Sequence, residues 1–189
     1  HPLRWDDIHG TVNIGLFDDA VVLSSGPITA RGEEGEVRAL FGLNIPLGPS
    51  EVGLEMDLMA GVRNLAANHR GKYLPYILNQ SLLDWLQGSI TEGVVKEGAF
   101  IWRGSLRRGL REARTVQLFF DVANTSLEYH ADWPPVTDMH GLVLIDDTDV
   151  SIWSERAQLY NTGVDFLSAE AWVEDSGQVS LQLDTSMQG

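Results

Sequence analysis

Strict alternation of apolar and polar residues constrains this chain most. In "SEVGLEMDLMAG", Val52, Leu54, Met56 and Leu58 fall on one side, and Glu51, Gly53, Glu55 and Asp57 on the other. In "TVQLFFDV", Val116, Leu118, Phe120 and Val122 share a side. In "GQVSLQLDT", Val179, Leu181 and Leu183 oppose Gln178, Ser180, Gln182 and Asp184. A period of two matches the pleat of a strand and not the turn of a helix, so each stretch predicts a strand with one apolar face. Shorter or more mixed strands are predicted at "AFIWRG", which carries Phe100 and Trp102, at "GLVLIDD" and at "DVSIW". Asp, Asn and Gly turn signals separate them at "DDTD", "NTG" and "EDSGQ".

One region breaks the alternation. In "LPYILNQSLLDWLQGSI", Ile77, Leu78, Leu82, Trp85 and Leu86 recur at about one helical turn, with Asn79 or Ser81 as N-cap and Gly88 as stop. The spacing predicts a short amphipathic helix near 80–87, preceded by a brief turn around 63–69. The expected organisation is a single β-rich segment over 1–189: strands in 1–60, a helical insert at about 63–88, and strands over 91–189. The fold class is mainly β. What covers the apolar face stays open: a second sheet, as in a sandwich, or an apolar ligand in a groove.

The net charge of −14 argues against nucleic acid, which needs basic surface, and against docking on anionic headgroups. A lipid partner would have to be held by its acyl chains. The absence of cysteine excludes disulfides, thiolate metal sites and Cys nucleophiles. The longest apolar run, Leu142 to Ile145, is far too short for a membrane span. No signal peptide is visible. The chain opens at His1-Pro2 without Met and stops inside a strand pattern, which predicts a piece of a longer protein.

No nucleophile elbow, phosphate-binding loop, dinucleotide fingerprint or H-E-x-x-H motif occurs. "DDTD", Asp146 to Asp149, invites a calcium reading but lacks the Gly and terminal Glu of an EF-hand loop; a hairpin turn is the better reading. His130 and Asp132, with His140, offer a zinc reading that a structural corner outweighs. Five arginines, Arg103, Arg107, Arg108, Arg111 and Arg114, fall within twelve residues of an acidic chain. A solvated loop joining two strands is preferred over a local phosphate or carboxylate contact.

The run from Tyr73 to Arg108 is similar to a motif of the YhdP family, in the AsmA-like superfamily of Gram-negative envelope proteins. The matching residues are Tyr73-Leu74-Pro75, Trp85-Leu86, Gly93-Val94, Gly98-Ala99-Phe100, Gly104 and Leu106. The stretch "LEYHADWPPVTDMHGLVLIDDTDVSI" continues the resemblance, which is strongest over residues 70–160. The loop "LRRGLREAR" departs from the more apolar loop of the family.

The resemblance implies a curved, antiparallel-rich sheet forming an elongated, taco-like apolar groove. It implies a periplasmic segment of an inner-membrane-anchored bridge that carries phospholipid acyl chains toward the outer membrane, in outer-membrane biogenesis. No enzyme activity, cofactor or metal is implied. The groove lining is expected at Val52, Leu54, Met56, Leu58, Phe100, Trp102, Val116, Leu118, Phe120, Val179, Leu181 and Leu183. Tyr129, His130, Asp132, Trp133, Pro134 and Pro135 are expected to form a structural corner between consecutive strands, because two prolines remove two ladder donors. A scaffold for envelope assembly and a carbohydrate-binding sandwich, with Trp5, Trp102, Trp133, Trp153 or Trp172 as stacking platforms, are the competing readings.

Overall fold

The computed structural model describes residues 5–32, 35–66, 88, 90–107, 109–110, 113–128, 134–160, 162–174 and 179–187. Among them, twelve strands form one open, curved antiparallel sheet. They are β1 (Asp7–His9), β2 (Val12–Leu16), β3 (Ala20–Ser25), β4 (Ile28–Gly32), β5 (Gly35–Pro46), β6 (Glu55–Ala66), β7 (Ile90–Ser105), β8 (Arg114–Leu127), β9 (Val136–Asp146), β10 (Asp149–Leu159), β11 (Thr162–Val173) and β12 (Val179–Met187).

The connectivity is simpler than twelve strands suggest. β3 and β4 lie end to end along β5, at Gly42–Pro46 and Gly35–Ala39 respectively. β2 and β1 lie outside them in the same way. The two outermost rungs are therefore long strands, interrupted at Gly10-Thr11 and at Gly26-Pro27, where proline has no amide to donate. The Gly26 amide bridges the breaks by donating to the Thr11 carbonyl (3.0 Å). Two interrupted rungs followed by eight unbroken ones give an up-and-down meander of ten. At about 4.8 Å per spacing its nine intervals span roughly 43 Å across the strands.

Turn chemistry sets the hairpins. Asp146 pairs with Asp149, so "DDTD" is the β9–β10 turn. Asp147 takes φ 51°, a left-handed conformation that Asp tolerates better than most residues. Its amide donates to the Val116 carbonyl (2.7 Å) and its carboxylate accepts the Val116 amide (2.8 Å), which pins the turn to β8. The carboxylate is thus used as a backbone clamp.

β-bulges crease the sheet along one line. Register shifts fall on β7 at Val95/Glu97, on β8 at Val122/Thr125, on β10 at Ser154/Arg156 and on β11 at Val164/Phe166. All lie beside the cross-strand row Val122, Gly141, Ser154, Leu167. A bulge bends its strand and raises the local twist, so aligned bulges curve the whole sheet. Asn124 (φ 51°) and Asp138 (φ 49°) supply left-handed residues there. Buried Ser154 satisfies the backbone released by the bulge: its Oγ donates to the Arg156 carbonyl (2.7 Å), lies 2.9 Å from the His140 carbonyl, and accepts the Arg156 amide (3.3 Å).

Strand β6 runs on to Ala66, four residues into the stretch expected as a turn and helical insert. The helix expected near 80–87 lies outside the described residues. Among the described residues no helix is long and apolar enough to cross a membrane.

Candidate functional site: one apolar sheet face

Residues opposite each other in an antiparallel ladder share a face, so the register turns separate alternations into continuous rows. One row reads Ile8, Ala30, Val37, Val62, Gly98, Phe120, Val143, Ile152, Ala169, Leu183. It crosses all ten rungs without a polar side chain. The next row reads Ile28, Ala39, Ala60, Phe100, Leu118, Ile145, Val150, Ala171, and ends opposite Leu181 on β12. A third begins at Ile14 and continues through Leu23, Leu43 and Met56. The apolar direction therefore runs across the strands.

The opposite face carries ion pairs over β4 to β8, interleaved with exposed Leu40 and Met59. Arg31 and Arg38 both hold Glu36 (3.0 and 2.6 Å), Arg63 holds Glu97 (3.0 Å), Arg103 holds Asp57 (3.1 Å) and Lys96 lies 3.6 Å from Asp121. The hydrogen bonds from Arg31 and Arg38 lower the pKa of Glu36 below the ordinary carboxylate value. Such exposed pairs contribute little stability. Their effect is to keep this face wet. Toward β9 and β10 the same face also carries exposed Leu142, Leu144 and Trp153.

Burial along the apolar face is graded. Over β8 to β10 it is filled: Val122, Met139, Val143 and Ile145 have at most 1% of their surface exposed. They belong to one buried cluster with Leu127, Val136, Ala157 and Val164, which lie on the far side of the crease. At the other end Ile14 and Leu16 are 73% and 76% exposed. Between them, Val37, Phe41, Leu43 and Val62 are half-buried. The face is packed over β8 to β11 and open at its β1–β5 end.

The expected lining residues divide along this gradient. Phe100, Trp102, Val116 and Leu118 are buried in the cluster, and Met56, Leu58, Phe120 and Leu183 pack against it. Leu54 is half-buried at the rim, and Val52 is exposed in the turn before β6. Val179 and Leu181 stand opposite Val173 and Ala171 on β12, with side chains outside the description. Of the expected corner, Pro134 and Pro135 lie immediately before β9, whose first residue, Val136, pairs with Leu127; Tyr129, His130, Asp132 and Trp133 lie outside the described residues. His140 shares a hydrogen bond with the Asn124 Oδ1 (2.9 Å) on the crease. Trp153 and Trp172, among the expected sugar platforms, are each about a third exposed, while Trp102 is buried.

The rim beside the β7–β8 turn holds a cavity of about 490 Å³, lined by Pro46, Gly48, Ser50, Gly53, Leu54, Leu106 and Arg107. Of the clustered arginines, Arg103 lies in β7 and pairs with Asp57. The Arg107 Nη1 donates to the Glu51 carbonyl (3.0 Å), and the Arg114 guanidinium lies 5.1 Å from the centre of the Trp102 ring. Arg108 and Arg111 lie outside the described residues.

Sequence reading missed Val143, Ile145 and Ile152. β9 reads "GLVLID", with Leu142 and Leu144 on the second face, so its alternation is invisible. Val37, Ala39, Phe41 and Leu43 do alternate within "GEVRALFGLNIP", a signal that marks their common face in the sequence.

A sequence model of one protein family, described as YhdP protein, matches residues 1–189. The similarity expected over 70–160 thus extends to both ends of the chain. No curated protein and no solved structure matches it.

Proposed function

The chain belongs to the YhdP family, and from that premise we propose that its apolar sheet face holds phospholipid acyl chains, as one segment of a periplasmic bridge between the inner and outer membranes. The observation that carries this reading is the pair of uninterrupted apolar rows, one across all ten rungs and one across nine. Their roughly 43 Å is nearly three times the depth of one leaflet's hydrocarbon, about 15 Å. Each buried CH₂ gains about 0.8 kcal/mol wherever it lies on a uniform apolar wall, so a chain can shift along the rows without crossing a deep trap. No bond is made or broken, and the side chains needed are the ones the alternation supplies.

The burial gradient favours the open part of the face for lipid. Over β8 to β10 the side chains fill their own face, which leaves the half-open surface of β1 to β6 as the place for an acyl chain. The filled half is also the observation that favours a second reading, in which the sheet is an envelope scaffold with a closed core.

Native mass spectrometry with lipid extraction separates the two. The chain purified without harsh detergent is expected to carry phospholipid. Leu43→Asp, on the open part of the apolar face, is expected to lose it, and Leu40→Asp, exposed on the opposite face, is expected to keep it. Protein that is lipid-free and takes up no fluorescent acyl probe would leave the scaffold reading. Binding of oligosaccharide in its place, lost with Trp153→Ala, would favour the carbohydrate module.

A further inference from the structure

In a chain of net charge −14, cations without a carboxylate are conspicuous. Among the described residues, Arg31, Arg38, Arg63, Lys96, Arg103 and Arg156 each hold a carboxylate. Arg107 and Arg114 hold none among the described residues. Both flank one turn, between β7 and β8, at one rim of the apolar face.

Each is tied to that face by a different device. Arg114 stands opposite Gly104, in line with Met56 on the apolar side, and its guanidinium lies over the buried Trp102 ring. The ring holds the cation at the boundary without neutralising it. Arg107 lines the rim cavity, and one carbonyl occupies part of its fork, leaving further N–H donors. Leu54 and Leu106 line the same cavity, and Leu106 packs against the apolar cluster. The cavity, about 490 Å³, opens widely to solvent, so a headgroup can reach it from outside.

The geometry points to this rim as a headgroup subsite: Arg107, in the cavity, takes the phosphate of a phospholipid whose acyl chain passes Leu54 and Leu106 onto the apolar face, and Arg114, over Trp102, adds positive charge at the same rim. Arginine suits this role because its planar fork matches two phosphate oxygens and never loses its charge. The inference rests on the acyl-chain reading and adds to it a fixed point at one rim. Away from that rim, no described cation on the apolar face holds the headgroup.

The test titrates the 189-residue chain with dioctanoyl phosphatidylglycerol, dioctanoylglycerol and inorganic phosphate, each below any micelle threshold, by calorimetry. Phosphatidylglycerol is expected to bind about tenfold more tightly than the phosphate-free lipid, and to lose about that factor in Arg107→Gln/Arg114→Gln. Dioctanoylglycerol should bind that variant and the parent chain alike, which also reports that the fold is intact. Arg114→Lys should restore part of the loss, since a cation over Trp102 remains. Equal binding of the two lipids, unaffected by the arginine changes, would overturn the subsite and leave the acyl-chain reading standing. Binding of neither lipid would overturn both. Arginine-dependent binding of inorganic phosphate as tight as that of the lipid would overturn the headgroup assignment in favour of a free-anion site.

Discussion

Replacing Trp102 by alanine is expected to lower the midpoint of thermal unfolding by about 12 °C. Trp102 is 2% exposed and sits between Leu58 and Val116 in neighbouring strands, within the buried cluster. Its Nε1 donates to the Gly104 carbonyl (3.4 Å), a long bond, so most of its contribution is apolar contact. Truncating a buried Trp to Ala costs about 3–5 kcal/mol, because lost burial and the remaining cavity add. In a chain of this size each kcal/mol shifts the midpoint by about 2–4 °C. Trp102→Phe keeps a ring in the site and is expected to fall between. Thermal circular dichroism on the three proteins checks the order. A shift under about 3 °C for Trp102→Ala would mean that this residue is not buried in the folded core.

The second large effect is expected at Gly141, where a single methyl group has no room. A Cβ built there lies 2.0 Å from the Trp153 carbonyl oxygen and 2.8 Å from the Ser154 Cα. Both are backbone atoms of the paired strand β10, so no side chain can swing aside. Gly141→Ala must part β9 from β10 beside the crease, at a cost of about 3 kcal/mol, in the range of strongly overpacked sites. Gly163→Ala is the control: nothing lies within 4 Å of its added methyl, and an open surface site is expected to change stability by less than about 0.5 kcal/mol. Urea unfolding of the two variants measures the difference. If both cost the same, the close approach of β9 and β10 at the crease is not a feature of the folded protein.

Much of the architecture was legible in the residues because a strand's side-chain period is local. Met56 and Leu58, or Leu118 and Phe120, announce their common face without reference to any other strand. The rows were not legible. That Val62 stands beside Gly98, and Phe120 beside Val143, depends on register, which hairpin turns and bulges set over distances the sequence does not display. The crease was equally hidden, since it arises from Asn124, Asp138 and Ser154, ordinary polar residues whose alignment exists only after pairing.

The expected lining also mixed two environments. Leu118 and Leu54 carry the same pattern, yet one is buried at the packed end and the other half-buried at the rim. Alternation reports which face a residue is on. It does not report whether that face is filled. For the same reason Leu118→Asp would test folding, since it buries a charge, and Leu43→Asp tests occupancy of the open face. The arginine cluster shows the converse. As a run of sequence it reads as a solvated loop, and only the fold separates Arg103, paired with Asp57, from Arg107 and Arg114 at the rim.

The central claim is that acyl chains lie on one face of this sheet and along its open end. Paramagnetic broadening by a phospholipid carrying a nitroxide on its acyl chain tests it most directly, read on assigned methyl groups. Broadening at Ile28, Leu43 and Val62, with Leu40 and Met59 on the opposite face left sharp, is the result expected from the three apolar rows. Broadening of both faces alike, or of Leu40 and Met59 alone, would contradict it.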